Sequence, residues 1–170
     1  MIHIVLYEHE KPDNTGNIMR TCMAFNMRLH IIEPITFSLD DKHLKRAGMD
    51  YIDKMIFNTY KNYDEFLENE HGHFVFFSRY GLKTFDECDF TDVKDDEDIY
   101  LIFGKESTGI PKEILKKHLD EVYRFPMRED ARSLNLSNCV AIASYECLRQ
   151  TGFKGLSRVE VIKGADWILK

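Results

Sequence analysis

"IYLIFGKESTGIPKEILKKHL", Ile99 to Leu119, sets out the fold in miniature: an apolar run suited to a buried strand, a glycine-bearing turn, and a helical stretch with Pro111 near its first turn. A proline there costs little, because the first turn of a helix has amide groups with no internal partner in any case. Runs of the same buried-strand type recur at "IHIVLY", "LHIIEP", "KMIFNTY", "HFVFFS" and "VYRFPM", with helical stretches between most of them. "DDKHLKRAGMDYI" opens with acids at Asp40 and Asp41, and "NYDEFLENE" sets polar residues around Phe66 and Leu67. This alternation predicts an α/β fold. Short connectors and right-handed crossovers make the sheet mostly parallel with helices on both faces, and ligands gather at the carboxyl ends of its strands.

A chain of 170 residues, 44% hydrophobic and 31% charged, fits one domain with a substantial core. The leading "MIHIVLY" is too short for a membrane span or signal peptide and runs into Glu8, so a cytoplasmic location with no membrane partner is expected. Cys22, Cys88, Cys139 and Cys147 lack CxxC spacing and are read as free thiols. His71 and His73 in "EHGH" read as a polar turn around Gly72, and no metal is expected. The net charge of −6 argues at first against a nucleic-acid partner. However, Asp86 to Asp98 holds eight acids and one lysine, a net of −7, so the remainder carries −6 + 7 = +1, and that run reads as a solvated loop.

Three segments carry more polar chemistry than packing needs. In "PDNTGNIMR", Pro12 to Arg20, Thr15 or Asn14 could cap a helix, while Arg20 lies in early turns where a cation gains nothing from the helix dipole. The strand ending at Gly104 runs into Glu106 and Gly109, and glycine there permits close backbone approach. This is not a phosphate-binding P-loop, which would require glycine at Ile99 and a hydroxyl residue at Glu106, and no GxGxxG follows any strand. The third is "REDARSLNLSN", before the apolar helix "CVAIASYECLRQ", which terminates near Gly152. Ser137 is a plausible N-cap, but Ser133, Asn135 and Asn138 exceed what capping requires, so they either fasten an unusual backbone path or bind a polar ligand.

In this order and after the expected strands, "NTGNIMR", "FGKESTGIP" and "PMREDARSLNLSNCVAIASYE" resemble the three motifs of SPOUT-superfamily RNA 2′-O-ribose methyltransferases. The match runs from "IVLYEHEKPDNTGNIMRTC" almost to the end of "LRQTGF" and is similar to the small, single-domain subgroup that methylates the wobble cytidine or uridine of tRNA. The resemblance implies an α/β knot with a C-terminal trefoil knot over residues 1–155, leaving 156–170 as an extension of unassigned role. It implies S-adenosylmethionine as cofactor and S-adenosylhomocysteine as product. Gly104 and Glu106 would lie in one cofactor loop, Phe125 and Met127 in the next, and Ser133, Leu134 and Asn135 in the third, with Phe77 or Ser78 on the adenosine side. Arg20 matches the family's catalytic arginine, and Arg132 and Tyr145 match positions near the reaction centre or dimer seam. Lys105 stands where relatives often have proline, and Phe77 and Phe125 where smaller aliphatics are common.

The resemblance further implies a homodimer joined through the C-terminal helix. Dimerisation would bring two sets of Arg124, Arg128, Arg132 and Arg149 together as a basic surface for tRNA. Rival readings are an enzyme of the same fold acting on ribosomal RNA, and a non-catalytic knotted RNA-binding dimer.

Overall fold

A computed structural model describes residues 1–39, 55 and 57–170. It opens with strand β1 (Ile2–Tyr7), buried along its whole length, followed by helix α1 (Pro12–Ala24) and β2 (Arg28–Ile32). Next come β3 (Phe57–Tyr60), α2 (Tyr63–Asn69), β4 (His73–Phe77) and the two-residue β5 (Lys83–Thr84). β6 (Ile99–Phe103), α3 (Lys112–Lys117), β7 (Val122–Arg124) and α4 (Leu136–Gln150) complete the order. The helix expected over "DDKHLKRAGMDYI" lies outside the described residues.

The seven strands among the described residues are all parallel, in the order β3-β2-β1-β6-β4-β7-β5. The chain builds outward from β1 through β2 to β3, then crosses to the opposite side, so the order reverses between β1 and β6. A parallel sheet covered on both faces needs apolar residues at successive positions, which is why β1 and β6 lack alternation. On one face Ile4 and Leu6 pack beneath Ile18, Met19 and Cys22 of α1 and Val140, Ala143 and Cys147 of α4. On the other, Val5, Tyr100 and Ile102 pack beneath Phe66 of α2 and Leu115 of α3. The four cysteines are free thiols.

The acidic run is only partly a solvated loop. Within it Cys88 and Phe90 are buried, Asp98 holds the N-terminal amine at 2.6 Å, and Asp95 pairs with Lys154. Past α4, Leu156 packs on the core, while Val161, Ile162, Ile168 and Leu169 are exposed.

The second face also holds a polar chain. Tyr60 and Tyr100 hydroxyls donate to Glu70 at 2.5 and 2.7 Å, His30 Nδ1 lies 2.9 Å from Tyr60, and His30 Nε2 lies 2.8 Å from His3 Nδ1. Because the Tyr60 proton is given to Glu70, His30 donates through Nδ1 and accepts from His3 through Nε2. His3, His30 and Glu70 are the one grouping of metal-ligating types among the described residues; the two histidines are hydrogen-bonded to each other, Glu70 accepts from the two tyrosines, and His3 Nε2 makes no hydrogen bond. Burial pushes both histidines below their ordinary pKa.

His9, at the end of β1, is fully buried against Phe37 with neither ring nitrogen hydrogen-bonded, and burial lowers it to about 4. A buried histidine that folds neutral stabilises the native state above pH 6.5 and loses that contribution as pH falls toward its folded value. Urea unfolding should therefore show stability declining from pH 7 to pH 5, with His9 alone contributing roughly 2 kcal/mol of the loss. His9→Phe, which keeps the ring contact, should flatten the profile; an unaltered slope would place the titration elsewhere.

Candidate active site at the carboxyl ends of the strands

A cavity of about 370 Å³ opens at the carboxyl ends of β4, β6 and β7, beside the start of α1. That size is ordinary for a small-molecule site, and the position agrees with the rule for parallel sheets whose strand order reverses. Its apolar wall is aromatic. Phe77 stacks between Phe103 and Phe125, with centroids 4.7 and 5.2 Å apart and interplanar angles of 4° and 11°, and Phe85 meets Phe77 edge-on. Phe77 and Phe125 thus form one continuous surface with Phe103.

Gly104 ends β6 and turns the chain into a tight loop closed by the Gly109 amide donating to the Lys105 carbonyl at 2.9 Å. Lys105 reaches back to Glu8 at 2.5 Å, so this loop is tied to the end of β1. Gly109 adopts φ +73°, the left-handed conformation that glycine tolerates best.

Glu106 does not point freely into the cavity. Its carboxylate accepts from the Glu10 amide at 2.8 Å, the Lys11 amide at 3.2 Å and the Asn14 side chain at 2.8 Å. It therefore caps α1 from a distant loop, where a negative charge at a helix N-terminus is favourable. This corrects the expectation that Asn14 or Thr15 caps α1. The N-cap residue is Lys11, which makes no side-chain cap, and Asn14 and Thr15 lie buried in the first turn. Ser107 in turn donates from its amide and hydroxyl to Glu10 at 3.0 and 2.9 Å, which holds the Glu10 carboxyl below its usual pKa.

Asn14 also joins the third segment. Its Oδ1 accepts from Asn135 Nδ2 at 2.9 Å, and Asn135 Oδ1 accepts from the Ser137 amide and hydroxyl at 2.9 and 2.6 Å and the Asn138 amide at 3.4 Å. The N-cap of α4 is therefore Asn135, not Ser137. One relay, Glu106 to Asn14 to Asn135, ties together three segments separated by up to 121 residues.

Around this cavity stand Phe77, Ser78, Gly104 and Glu106, with Phe125 and Met127 from the second loop and Ser133, Leu134 and Asn135 from the third. Lys11, Asn14, Arg79, Tyr80 and Cys139 line it as well, and sequence reasoning did not assign them to it. Asn14 carried a usable signal, a polar side chain in the first turn of an otherwise apolar-faced helix. Burial raises the Cys139 thiol to about 11, so it stays protonated at neutral pH.

Arg20, Arg132 and Tyr145 are not among the lining residues. All three are exposed, Arg20 on α1 and Tyr145 on α4, where its ring meets Phe153 at 5.5 Å. Of the arginines expected to form a basic surface in a dimer, Arg128 pairs with Asp130 at 3.0 Å and Arg149 with Glu146 at 2.7 Å.

Residues 1–145 match the SpoU rRNA Methylase family. The tRNA (cytidine(34)-2′-O)-methyltransferase of Escherichia coli K12 is 43% identical over 156 residues, covering 91% of this chain and 97% of that protein. A crystal structure from Bacillus anthracis superposes with a TM-score of 0.85 at 43% identity, covering 95% of this chain and all of that one. A structure determined in work on 2-OH methylation of C/U34 on tRNA gives a TM-score of 0.81 at 38% identity, covering 89% and 97%. Motif order, parallel-sheet architecture and similarity along most of both chains agree, and the chain belongs to the SpoU rRNA methylase family, with its knotted α/β fold.

Proposed function

We propose that this protein is an S-adenosylmethionine-dependent methyltransferase that modifies the ribose 2′-hydroxyl of the first anticodon nucleotide, cytidine or uridine, of tRNA, and that it works as a homodimer. The observation that carries the reading is the convergence of the loop after β6, the chain after β7 and the start of α4 on one cavity with an aromatic wall and a polar floor. Those residues fit the cofactor: the phenylalanine surface suits a flat adenine, and Ser78, Ser133 and Asn135 suit ribose and amino-acid groups. When bound, the cofactor supplies an electrophilic methyl group on sulfur.

The chain's own contribution is positioning and charge control. In-line transfer requires the acceptor oxygen to be held at near-attack distance, and that hydroxyl becomes nucleophilic as its proton leaves. Glu106 accepts from the Glu10 and Lys11 amides and the Asn14 side chain, and Glu10 accepts from Ser107, so both carboxylates serve to fasten the loop after β6 to the start of α1. The Arg20 guanidinium offers donors in a planar fork, and it donates hydrogen bonds to the developing alkoxide or an adjacent phosphate. Its exposure away from the cavity of its own chain supports a site completed by a second copy. Ile142 and Tyr145, 47% and 55% exposed on α4, give that copy an apolar surface to meet.

Residues 1–155 are proposed as the methyltransferase domain and 156–170 as an extension outside it. No described helix is long and apolar enough to cross a membrane. Incubation with labelled cofactor and total tRNA from a strain lacking the activity, followed by nucleoside mapping, should give a 2′-O-methylated pyrimidine at the first anticodon position. Label on a base, or on ribosomal RNA alone, would overturn the assignment.

A further inference from the structure

Tyr80 lines the cavity, yet its side chain is 74% exposed. The backbone beneath it is firmly seated. The Ser78 amide donates to the Tyr123 carbonyl of β7 at 3.0 Å, the Gly81 amide donates to the Ser78 carbonyl at 3.1 Å, and the Tyr80 amide donates to Ser78 Oγ at 3.2 Å. Gly81 is buried so closely against β7 that an added Cβ would lie 2.7 Å from the Tyr123 carbonyl carbon and 2.9 Å from the Arg124 amide nitrogen. A side chain at Gly81 would push the turn off the sheet. The result is a braced turn that presents a large aromatic ring to solvent with little packing to justify it.

One partner does approach that ring. The guanidinium carbon of Arg79 lies 5.7 Å from its centroid, within cation–π range. Arg79 is itself exposed and also lines the cavity, so a ring on a braced backbone and a cation stand side by side at the mouth. Unpaired nucleobases of RNA loops are bound by stacking on aromatic rings and guanidinium planes, with cations taking the phosphates. Since Ser78 begins the turn and belongs to the cavity wall, a base on Tyr80 would lie at the mouth of that cavity.

We propose that Tyr80, flanked by Arg79, is the stacking platform for an unpaired nucleobase of the RNA substrate, and so positions the acceptor nucleotide. This inference rests on the RNA methyltransferase reading above. Tyr80 is a positioning residue, whose ring and not its hydroxyl does the work.

The test uses Tyr80→Ala and Tyr80→Phe in the full-length protein, with methyl transfer to a synthetic tRNA anticodon stem-loop and calorimetric titration of S-adenosylhomocysteine. Tyr80→Ala should raise the KM for the stem-loop on the order of tenfold or more, the scale of losing one base–aromatic stack. S-adenosylhomocysteine affinity should be unchanged, and Tyr80→Phe should behave as wild type. An unaltered KM in Tyr80→Ala overturns the proposal, as does a loss of S-adenosylhomocysteine affinity without an RNA effect, which would assign the ring to the cofactor. A wild-type protein that leaves both the stem-loop and intact tRNA unmethylated sinks the underlying functional reading as well; an active wild type with an unaffected Tyr80→Ala sinks the platform alone.

Discussion

Gly104→Ala should eliminate measurable cofactor binding while leaving most of the sheet folded. The added methyl carbon would lie 2.3 Å from both the Gly109 carbonyl carbon and the Ile110 amide nitrogen, and 2.8 Å from Gly109 Cα. These are backbone atoms, so no rotamer change relieves the contact, and the loop must shift bodily. That shift moves Glu106, whose carboxylate fastens the loop to the start of α1, and strains the Asn14–Asn135 relay that shapes the far side of the cavity. Misplacing a preorganised site by about an ångström can cost on the order of a hundredfold, and at least that loss of S-adenosylhomocysteine affinity is expected by calorimetry. Gly109→Ala is the contrasting variant. Its methyl meets no atom within 4 Å, so only the φ of +73° opposes it, at about 1–2 kcal/mol. If Gly104→Ala bound S-adenosylhomocysteine as tightly as wild type, the loop would be compliant and the argument from close approach would fail.

The contrast between these glycines also shows which parts of the molecule a sequence can carry. The buried strands were legible because parallel pairing buries both faces and leaves unbroken apolar runs such as Ile2–Tyr7 and Ile99–Phe103. The short β5, Lys83–Thr84, has no apolar run and was not foreseen. Caps were misplaced for a physical reason: local rules look for a side chain within a few residues, whereas α1 is capped by Glu106 through contacts spanning 95 and 96 residues. The convergence of three loops came from motif resemblance, since no spacing rule places Ser133 beside Phe77. Nor could the motifs reveal that the Glu106 carboxylate is held by three donors.

Arg20 carries the second large effect. Arg20→Ala should lower the single-turnover methylation rate by about 10²–10³, the usual cost of removing one donor aimed at developing negative charge. S-adenosylhomocysteine affinity should be unchanged, because the side chain is exposed and does not line the cavity. The same placement gives a sharper test of how the site is assembled. In a symmetric dimer whose cavities each take an arginine from the other chain, Arg20→Ala and Gly104→Ala are complementary defects. Their heterodimer has one cavity with intact loops, supplied with Arg20 by the partner. Co-expression of the two variants should then restore methyl transfer well above either homodimer. An arginine acting within its own chain predicts no recovery, since every intact cavity would lack Arg20 and every chain with Arg20 would have a damaged loop. Failure to recover activity in a purified heterodimer would place Arg20 in cis, and the apolar face of α4 would then need another reason for its exposure.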